Sequence, residues 1–376
     1  MLRKHPKLFQ DPKIDYPIYD MNLSFADYVQ KSTEIIAKTR QDLKYQAEQI
    51  IKVNAPFELR PAKPPRYGAL LIHGLLDSPF VMRDLGNSLR EQGLLVRSIM
   101  LPGHSTVPGA LLNTQYSEWS QAVEYGVNSL KADVEKIFLI GFSTGASLAI
   151  CHAAKDPAIA GMILLAPAFK INSPLVFLTQ WQHTLRLKWE RTKLFVLREE
   201  HDYAKYQSVA INAIYQVYQL GLVTQQAPLN TCPAFSILSY EDEIICSQAS
   251  LYYLQRETHP LNRTLVYSGK PLNFANKQIT VRSSANPAKG ILNFSHITLP
   301  IAPSNSHYGQ EGNYCLASHL QKNVKYGAFD KADIIFYDWL HRLDLTRYMY
   351  QRLTFNPDFG VIEREMKKFI EECLHT

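Results

Sequence analysis

Buried strand segments alternate with helical segments over most of this 376-residue chain, and this alternation limits the possible folds more than any other feature. The segments 69–72 and 137–140 are apolar at every position, as in strands that are covered on both faces. Helical patterns near 79–92, 117–131 and 144–155 lie between the strands. The sequence therefore predicts an α/β fold with a doubly wound, mostly parallel sheet. The predicted strands are Tyr67–His73, Leu94–Leu101, Ile137–Phe142, Met162–Ala166, Ala234–Ser239 and Thr264–Ser268.

The chain ahead of the first predicted strand has a different character. Residues 1–65 begin with a stretch rich in Pro and charged residues, which predicts an extended arm, and continue with apolar positions at helical spacing. Ser24 stands where a helix N-cap belongs, with Asp27 three residues on as a variant of the capping box. These features predict an N-terminal arm followed by one helix of about 25–52.

The alternation stops between residues 170 and 230, where the sequence is helical in pattern and rich in aromatic residues. This segment predicts a helical lid, inserted over the end of the sheet, which divides the α/β core into residues 66–169 and 231–376. A second, irregular insertion is predicted at about 270–290. The tail from about 331 to 374 has a helical pattern again.

Composition indicates a globular protein and argues against several functions. With 46% hydrophobic residues the chain can bury a full core. Its net charge of +6 is scattered and does not form the basic stripe that is typical of nucleic-acid-binding proteins, so no nucleic-acid partner is expected. The five cysteines include no C-x-x-C pair, so neither a zinc site nor a thioredoxin-like motif is indicated. No metal or organic cofactor is expected.

The sequence pattern contains no secretory or membrane signal. The basic N-terminus is not followed by the apolar region of a Sec signal peptide, and no stretch of about 18 apolar residues predicts a transmembrane helix. Reduced cysteines and a cytoplasmic location are therefore expected, with export by a route that leaves no such signal as the alternative. The oligomeric state is not indicated by the sequence.

One short motif carries chemistry: Gly141-Phe142-Ser143-Thr144-Gly145, which has the form G-x-S-x-G. It follows an apolar strand and precedes a helix of small residues. Flanking glycines are needed where a strand turns sharply into a helix and the serine between them holds a strained backbone. The free N–H groups of the helix N-terminus then face the negative charge that develops on a substrate. This context favours Ser143 as a nucleophile over a plain glycine-rich turn.

Two further segments complete a family resemblance. His-Gly-Leu at 73–75 ends the first predicted strand, and Leu-Pro-Gly-His-Ser at 101–105 follows the next one. Together with G-x-S-x-G they resemble the carboxylesterase and monoacylglycerol-lipase branch of the α/β-hydrolase family, over about residues 66–300. The resemblance implies an oxyanion hole formed by the backbone N–H groups of Leu75 and Thr144. The histidines of both segments are expected to hold loops by hydrogen bonds.

In this family the catalytic acid and then the base follow the serine along the chain. Asp242, in the turn after the fifth predicted strand, resembles the family's acid because an aliphatic pair follows it closely, with Glu241 or Glu243 as the alternatives. The resemblance further implies His296 as the general base, since a small residue precedes it and aliphatic residues follow. His307 is the alternative base.

These residues predict a serine hydrolase that cleaves carboxylic esters of apolar acyl chains through an acyl-enzyme on Ser143, with a small ester or a lipid as substrate. Val209, Ala213 and Val217 recur at helical spacing in the predicted lid and are expected to line one wall of an acyl pocket. The alternative is that this stripe is only the lid's packing face. A thioesterase or amidase with the same triad, and a non-catalytic ligand-binding scaffold, are the alternative functions.

Overall fold

The fold is described by a computed structural model, which covers residues 6–40, 43, 46–172, 194–229, 231–256, 259–315, 324–328 and 349–375. Its strands are β1 (Phe57–Leu59), β2 (Tyr67–Ile72), β3 (Leu95–Ile99), β4 (Lys136–Phe142), β5 (Ile159–Leu165), β6 (Leu194–Val196), β7 (Val209–Ala210), β8 (Ala234–Ser239), β9 (Arg263–Ser268), β10 (Ile279–Ser283), β11 (Val324–Gly327) and β12 (Met349–Arg352). Its α-helices are α1 (Phe25–Thr39), α2 (Ala47–Asn54), α3 (Arg83–Glu91), α4 (Tyr116–Lys131), α5 (Thr144–Ala153), α6 (Ile211–Thr224), α7 (Ser247–Leu254) and α8 (Phe359–Leu374).

The main sheet has eight strands in the order β1-β3-β2-β4-β5-β8-β9-β10. Every neighbouring pair is parallel except β1 with β3. The six predicted strands are all present and lie next to one another in the parallel part of this sheet, so the predicted fold class is confirmed. Because the carboxyl ends of parallel strands lie at one edge, the turns after β2, β4 and β8 come close together there.

The apolar strand sequences are explained by helices on both faces of the sheet. Leu70 and Ile72 of β2 belong to one apolar cluster, which includes residues of α4, α5 and α6. Ala69 and Leu71, which point the opposite way, belong to a second cluster with residues of α3 and α8. Alternate side chains of a strand face opposite sides of the sheet, so a strand covered on both sides can be apolar at every position.

The prediction of an irregular insertion at 270–290 was wrong in part, because it contains β10. This strand pairs in parallel with β9 at the edge of the sheet. Its side chains are half-buried or exposed, so it lacks the continuous apolar run by which the central strands were found. Pairing with β9, and not a continuous apolar run, makes this segment a strand.

The N-terminal segment contains two helices and not the single predicted helix of 25–52. α1 begins where expected: Ser24 Oγ accepts a hydrogen bond from the backbone N–H of Asp27 at 3.1 Å. α2 begins only after Gln46, whose backbone lies in the left-handed region with φ 52° and therefore does not continue a right-handed helix. The buried Tyr28 hydroxyl bonds the backbone of Met100, which joins α1 to the core.

The predicted helical tail also differs from the structure. Helix α8 accounts for the end of the segment, but Met349–Arg352 forms β12, which pairs in parallel with β11. Residues 331–348 of the predicted tail lie outside the described residues. The sequence of β12 alone does not predict this strand, because the strand depends on its pairing with β11. β11 is in turn held by long-range hydrogen bonds to the backbone of residues 290–292.

Within the predicted lid, the described residues 194–229 form the antiparallel pair β6–β7 and helix α6, so this part is not entirely helical. Residues 173–193 lie outside the described residues, and the division of the chain into a core and a lid stays a prediction. In the described ranges, every helix is too short or too polar to cross a lipid bilayer.

Candidate active site

Ser143 lies in the tight turn that joins β4 to α5. Its backbone angles, φ 56° and ψ −115°, are unusual for a residue with a side chain and indicate local strain. The surrounding structure holds this conformation: the Ser143 N–H donates to the Leu165 carbonyl at 2.8 Å, and its carbonyl accepts from the N–H of Ala168 at 3.3 Å. The serine thus stands at the N-terminus of α5, at the carboxyl edge of the sheet.

The two glycines of the motif permit α5 to approach the sheet closely. A Cβ atom added to Gly145 would lie 2.1 Å from the carbonyl oxygen of Ile72, and one added to Gly141 would lie 2.4 Å from the Cα of Ala146. Both contacts are with backbone atoms, which cannot move aside as a flexible side chain could. The G-x-S-x-G pattern therefore follows from packing as well as from the conformation of the turn.

The loop after β2, which carries Leu75, passes close to Ser143. A Cβ added to Gly74 would lie 3.2 Å from the Cβ of Ser143, so this loop passes directly beside the serine. Leu76 has φ 67°, and its carbonyl accepts from the N–H of Tyr206 at 2.9 Å. Within the described part of the chain, the N–H groups of Leu75 and Thr144 donate no hydrogen bond. They are the two groups that were predicted to form an oxyanion hole.

His296 and Asp242 form a buried pair beside the turn that carries Ser143. His296 Nδ1 lies 2.7 Å from Asp242 Oδ2, and the imidazole packs against Phe142 with ring centroids 4.8 Å apart. The other carboxylate oxygen, Oδ1, accepts from the N–H groups of Ile244 and Ile245, both at 2.8 Å. A carboxylate only accepts hydrogen bonds, so Nδ1 of the neutral ring carries the proton and Nε2 is the basic nitrogen.

The three consecutive acidic residues of this turn have different partners. Glu241 accepts hydrogen bonds from Ser268 Oγ and the Gly269 N–H, at 3.0 and 3.1 Å. Glu243 accepts one from the backbone N–H of His296 at 2.9 Å. Asp242 is thus the residue of the three that is hydrogen-bonded to the imidazole ring.

His307, the alternative base, belongs to another buried network. Its Nε2 lies 3.0 Å from Asp202 Oδ1, while the Tyr308 hydroxyl donates to Asp202 Oδ2 at 2.7 Å. The imidazole also packs on Tyr203, with ring centroids 4.0 Å apart. Among the described residues, His307–Asp202 is thus a second buried His–Asp pair, and it joins His307 to the predicted lid instead of to Asp242.

The histidines of the two family segments hold loops, as expected. His73 Nδ1 donates to the Gly74 carbonyl at 2.8 Å, and its Nε2 accepts from the N–H of Leu101 at 3.1 Å. Burial lowers the pKa of His73 to about 4 and that of His104 to about 3, so both rings are neutral near pH 7. Among the described residues, no group of three or more His, Cys, Asp or Glu side chains is placed to hold a metal ion.

The predicted acyl-pocket residues lie in and before α6. Ala213 and Val217 are almost fully buried and belong to the apolar cluster that contains α5, whereas Val209 in β7 is half-buried. This burial agrees with the alternative that the stripe is a packing face. The assignment of these residues to an acyl pocket stays a prediction.

One contact near Leu75 was missed by the sequence reasoning. Lys205, in the predicted lid, forms an ion pair with Asp77 of the loop after β2, with Nζ 2.9 Å from Oδ1. Asp77 is buried, so this pair and the bond from Tyr206 to Leu76 both hold the loop from the lid side. No motif signals such a pair, because its partners lie 128 residues apart in the chain.

Comparisons with known proteins agree with this fold. The profile of the family described as serine aminopeptidase, S33, matches residues 63–269. The thermostable monoacylglycerol lipase of Bacillus sp. (strain H-257) is 33% identical over 104 residues, which are 28% of this chain and 42% of that protein. The chain thus aligns with less than half of that relative's length. The family match includes Ser143 and Asp242 and ends ahead of His296.

Solved structures that match part of the chain include lipolytic enzymes and lipases. One is from work on LipS and LipT, two metagenome-derived lipolytic enzymes: it has a TM-score of 0.48 and 22% identity, and the alignment covers 56% of this chain and 86% of that chain. Another is the monoacylglycerol lipase of Paleococcus ferrophilus, with a TM-score of 0.47 and 18% identity, covering 57% of this chain and 88% of that one.

Proposed function

The chain belongs to the serine aminopeptidase (S33) family, and from this premise we propose that it is a serine hydrolase that cleaves carboxylic esters of apolar acyl chains. The observation that carries the proposal is the hydrogen bond between His296 and Asp242, at the edge of the sheet where Ser143 holds its strained backbone. A buried imidazole oriented by a carboxylate is the arrangement that activates a serine hydroxyl.

The proposed mechanism assigns one step to each group. His296 Nε2 takes the proton of Ser143 Oγ as this oxygen attacks the ester carbonyl carbon. The N–H groups of Leu75 and Thr144 stabilise the negative charge that develops on the carbonyl oxygen. When the tetrahedral intermediate collapses, the protonated imidazole gives its proton to the leaving alcohol, and the acyl group stays on Ser143. Water that is deprotonated by His296 then releases the acid.

An ester or a lipid is the proposed substrate class, because the curated relative is named a monoacylglycerol lipase. Peptide hydrolysis is the second candidate, because the family description names an aminopeptidase. Both use the same acyl-enzyme chemistry, so they differ in the leaving group and in what binds the rest of the substrate.

A fluorophosphonate probe, followed by a substrate panel, tests the proposal. The probe should label the protein once, and peptide mass spectrometry should place the label on Ser143. Turnover of p-nitrophenyl esters should then exceed turnover of aminoacyl p-nitroanilides and of acyl thioesters. A protein that is not labelled and hydrolyses none of these substrates would instead be a non-catalytic scaffold.

We expect Asp242→Asn to lower kcat for a p-nitrophenyl ester by about ten-thousand-fold. The amide keeps the shape, and its oxygen can still accept from the N–H groups of Ile244 and Ile245. Its NH₂ group, however, faces His296 Nδ1 and favours the wrong tautomer. Steady-state kinetics give the measurement, and Glu241→Gln is the matched control because Glu241 contacts Ser268 and Gly269 instead. An equal loss in both variants would contradict the assignment of the acid.

If an apolar pocket binds the acyl chain, kcat/KM should rise with chain length and then level off. Each buried methylene contributes about 0.8 kcal/mol, which corresponds to about a fourfold rise. Esters from acetate to decanoate give the measurement. If Val217 is part of the pocket wall, Val217→Ala should shift the plateau of kcat/KM to longer acyl chains. If Val217 is instead part of a packing face, the same variant should lower the unfolding midpoint and leave the chain-length preference unchanged. Acetate as the best substrate would rule out the acyl pocket.

A further inference from the structure

Glu243 is a buried acidic side chain beside His296 that the mechanism above does not use. Its Oε2 accepts a hydrogen bond from the His296 backbone N–H at 2.9 Å. Its Oε1 lies 3.1 Å from Nε of Arg352, and the carboxylate is only 5% exposed. Asp242 contacts the imidazole ring and Glu243 contacts the backbone of the same residue, so two adjacent acids hold His296 at two points.

The N–H group and the guanidinium that contact the Glu243 carboxylate favour its ionised form. The His296 N–H and the Arg352 guanidinium only donate hydrogen bonds, so neither could accept a proton from a neutral carboxyl group. Burial, and to a smaller extent the negative charge of Asp242, raise the pKa of Glu243 above its ordinary value, while the positive charge of Arg352 and the hydrogen bond from the His296 N–H act in the opposite direction. The charged and titratable groups that face it are Arg352, Asp242 and His296. A buried charge is costly unless it is paired, and Arg352 supplies the pairing.

The segment that carries Arg352 also holds the histidine turn from its other side. The carbonyl of Leu353, the next residue, accepts hydrogen bonds from Ser295 Oγ at 2.5 Å and from Thr298 Oγ1 at 2.8 Å. Ser295 and Thr298 flank His296, so the end of β12 is joined to the residues on both sides of it. This segment lies beyond the residues that match the family profile.

We propose that Glu243 is a positioning residue for His296: its carboxylate, held by Arg352, fixes the backbone of the histidine turn and places a second negative charge beside the imidazole. This inference rests on the proposed function of His296 as general base. A negative charge near the ring stabilises the imidazolium that forms as Ser143 loses its proton, and therefore makes the imidazole a stronger base.

The variant Glu243→Gln tests the role of the charge, because the amide oxygen still accepts from the His296 N–H. We expect kcat to fall about tenfold with little change in KM. The acidic limb of the kcat/KM profile should move to lower pH by about one unit, since removal of a negative charge disfavours the imidazolium. The same shift should be seen in the NMR titration of the His296 ring, which does not depend on turnover. Glu241→Gln, in the same turn, should leave both measurements unchanged.

Glu243→Asp separates the charge from the position. Aspartate keeps the negative charge but is one methylene shorter, so kcat should fall while the acidic limb stays near its wild-type pH. If Glu243→Gln does not fold, this variant still decides, because a wild-type kcat in Glu243→Asp would overturn the proposal. A folded Glu243→Gln with a wild-type kcat and an unmoved His296 titration would overturn it as well. A wild-type protein that is inactive toward esters would instead contradict the proposed function, while the NMR titration would still test Glu243.

Discussion

Ser143→Ala should abolish p-nitrophenyl ester turnover, with a loss of about a million-fold in kcat and an unchanged unfolding curve. Alanine removes the hydroxyl group that attacks the ester, but it keeps a Cβ and so experiences the same backbone strain at φ 56°. Steady-state kinetics, fluorophosphonate labelling and denaturant unfolding measure the three properties.

Ser147→Ala is the matched control for this variant. Ser147 lies one turn further along α5, is fully buried, and has a hydroxyl group without a hydrogen-bond partner among the described residues. Its loss should leave turnover and labelling near the wild-type level. Wild-type activity in Ser143→Ala, or a loss of labelling in Ser147→Ala instead, would end the assignment of the nucleophile.

His296→Ala should reduce kcat by a similar factor, because Ser143 then has no base to take its proton. His307→Ala should behave differently. It leaves Asp202 buried with the Tyr308 hydroxyl as its remaining side-chain partner, so we expect a lower free energy of unfolding and a nearly normal kcat per folded molecule.

The two histidine variants are matched, because each removes a buried imidazole from a carboxylate. Activity is compared after correction for the folded fraction, which denaturant unfolding measures. An inactive, well-folded His307→Ala together with an active His296→Ala would show that the base lies in the later loop, with Asp202 as its partner.

The local parts of this protein could be predicted from its sequence. The central strands were found because helices cover both of their faces, and this burial removes polar residues from every position of segments such as 69–72. The turn at Ser143 could be predicted because the packing around it leaves no room for a side chain at positions 141 and 145, so both are glycine. In both cases the physical requirement acts on neighbouring residues, so it leaves a continuous pattern in the chain.

The edge strands left no such pattern. The strand β10 is half-exposed and lacks a continuous apolar run, and β12 depends on a partner that is itself held by a distant loop. The prediction of a single helix over 25–52 was wrong because the apolar spacing alone did not show where the helix ends. Its apolar spacing continues past the end of α1, but the backbone of Gln46 does not remain helical.

By itself, the sequence determined the parallel α/β sheet and the strained serine turn, because these depend on burial and steric limits that act along a short stretch of chain. Only the tertiary structure decided which histidine pairs with which acid. Both His296 with Asp242 and His307 with Asp202 join a buried imidazole to an aspartate, and the members of the two pairs lie 54 and 105 residues apart. The same holds for Glu243 and Arg352. Hydrogen bonds and ion pairs depend on distance and direction between atoms, and for residues this far apart in the chain only the packing of the whole fold sets them.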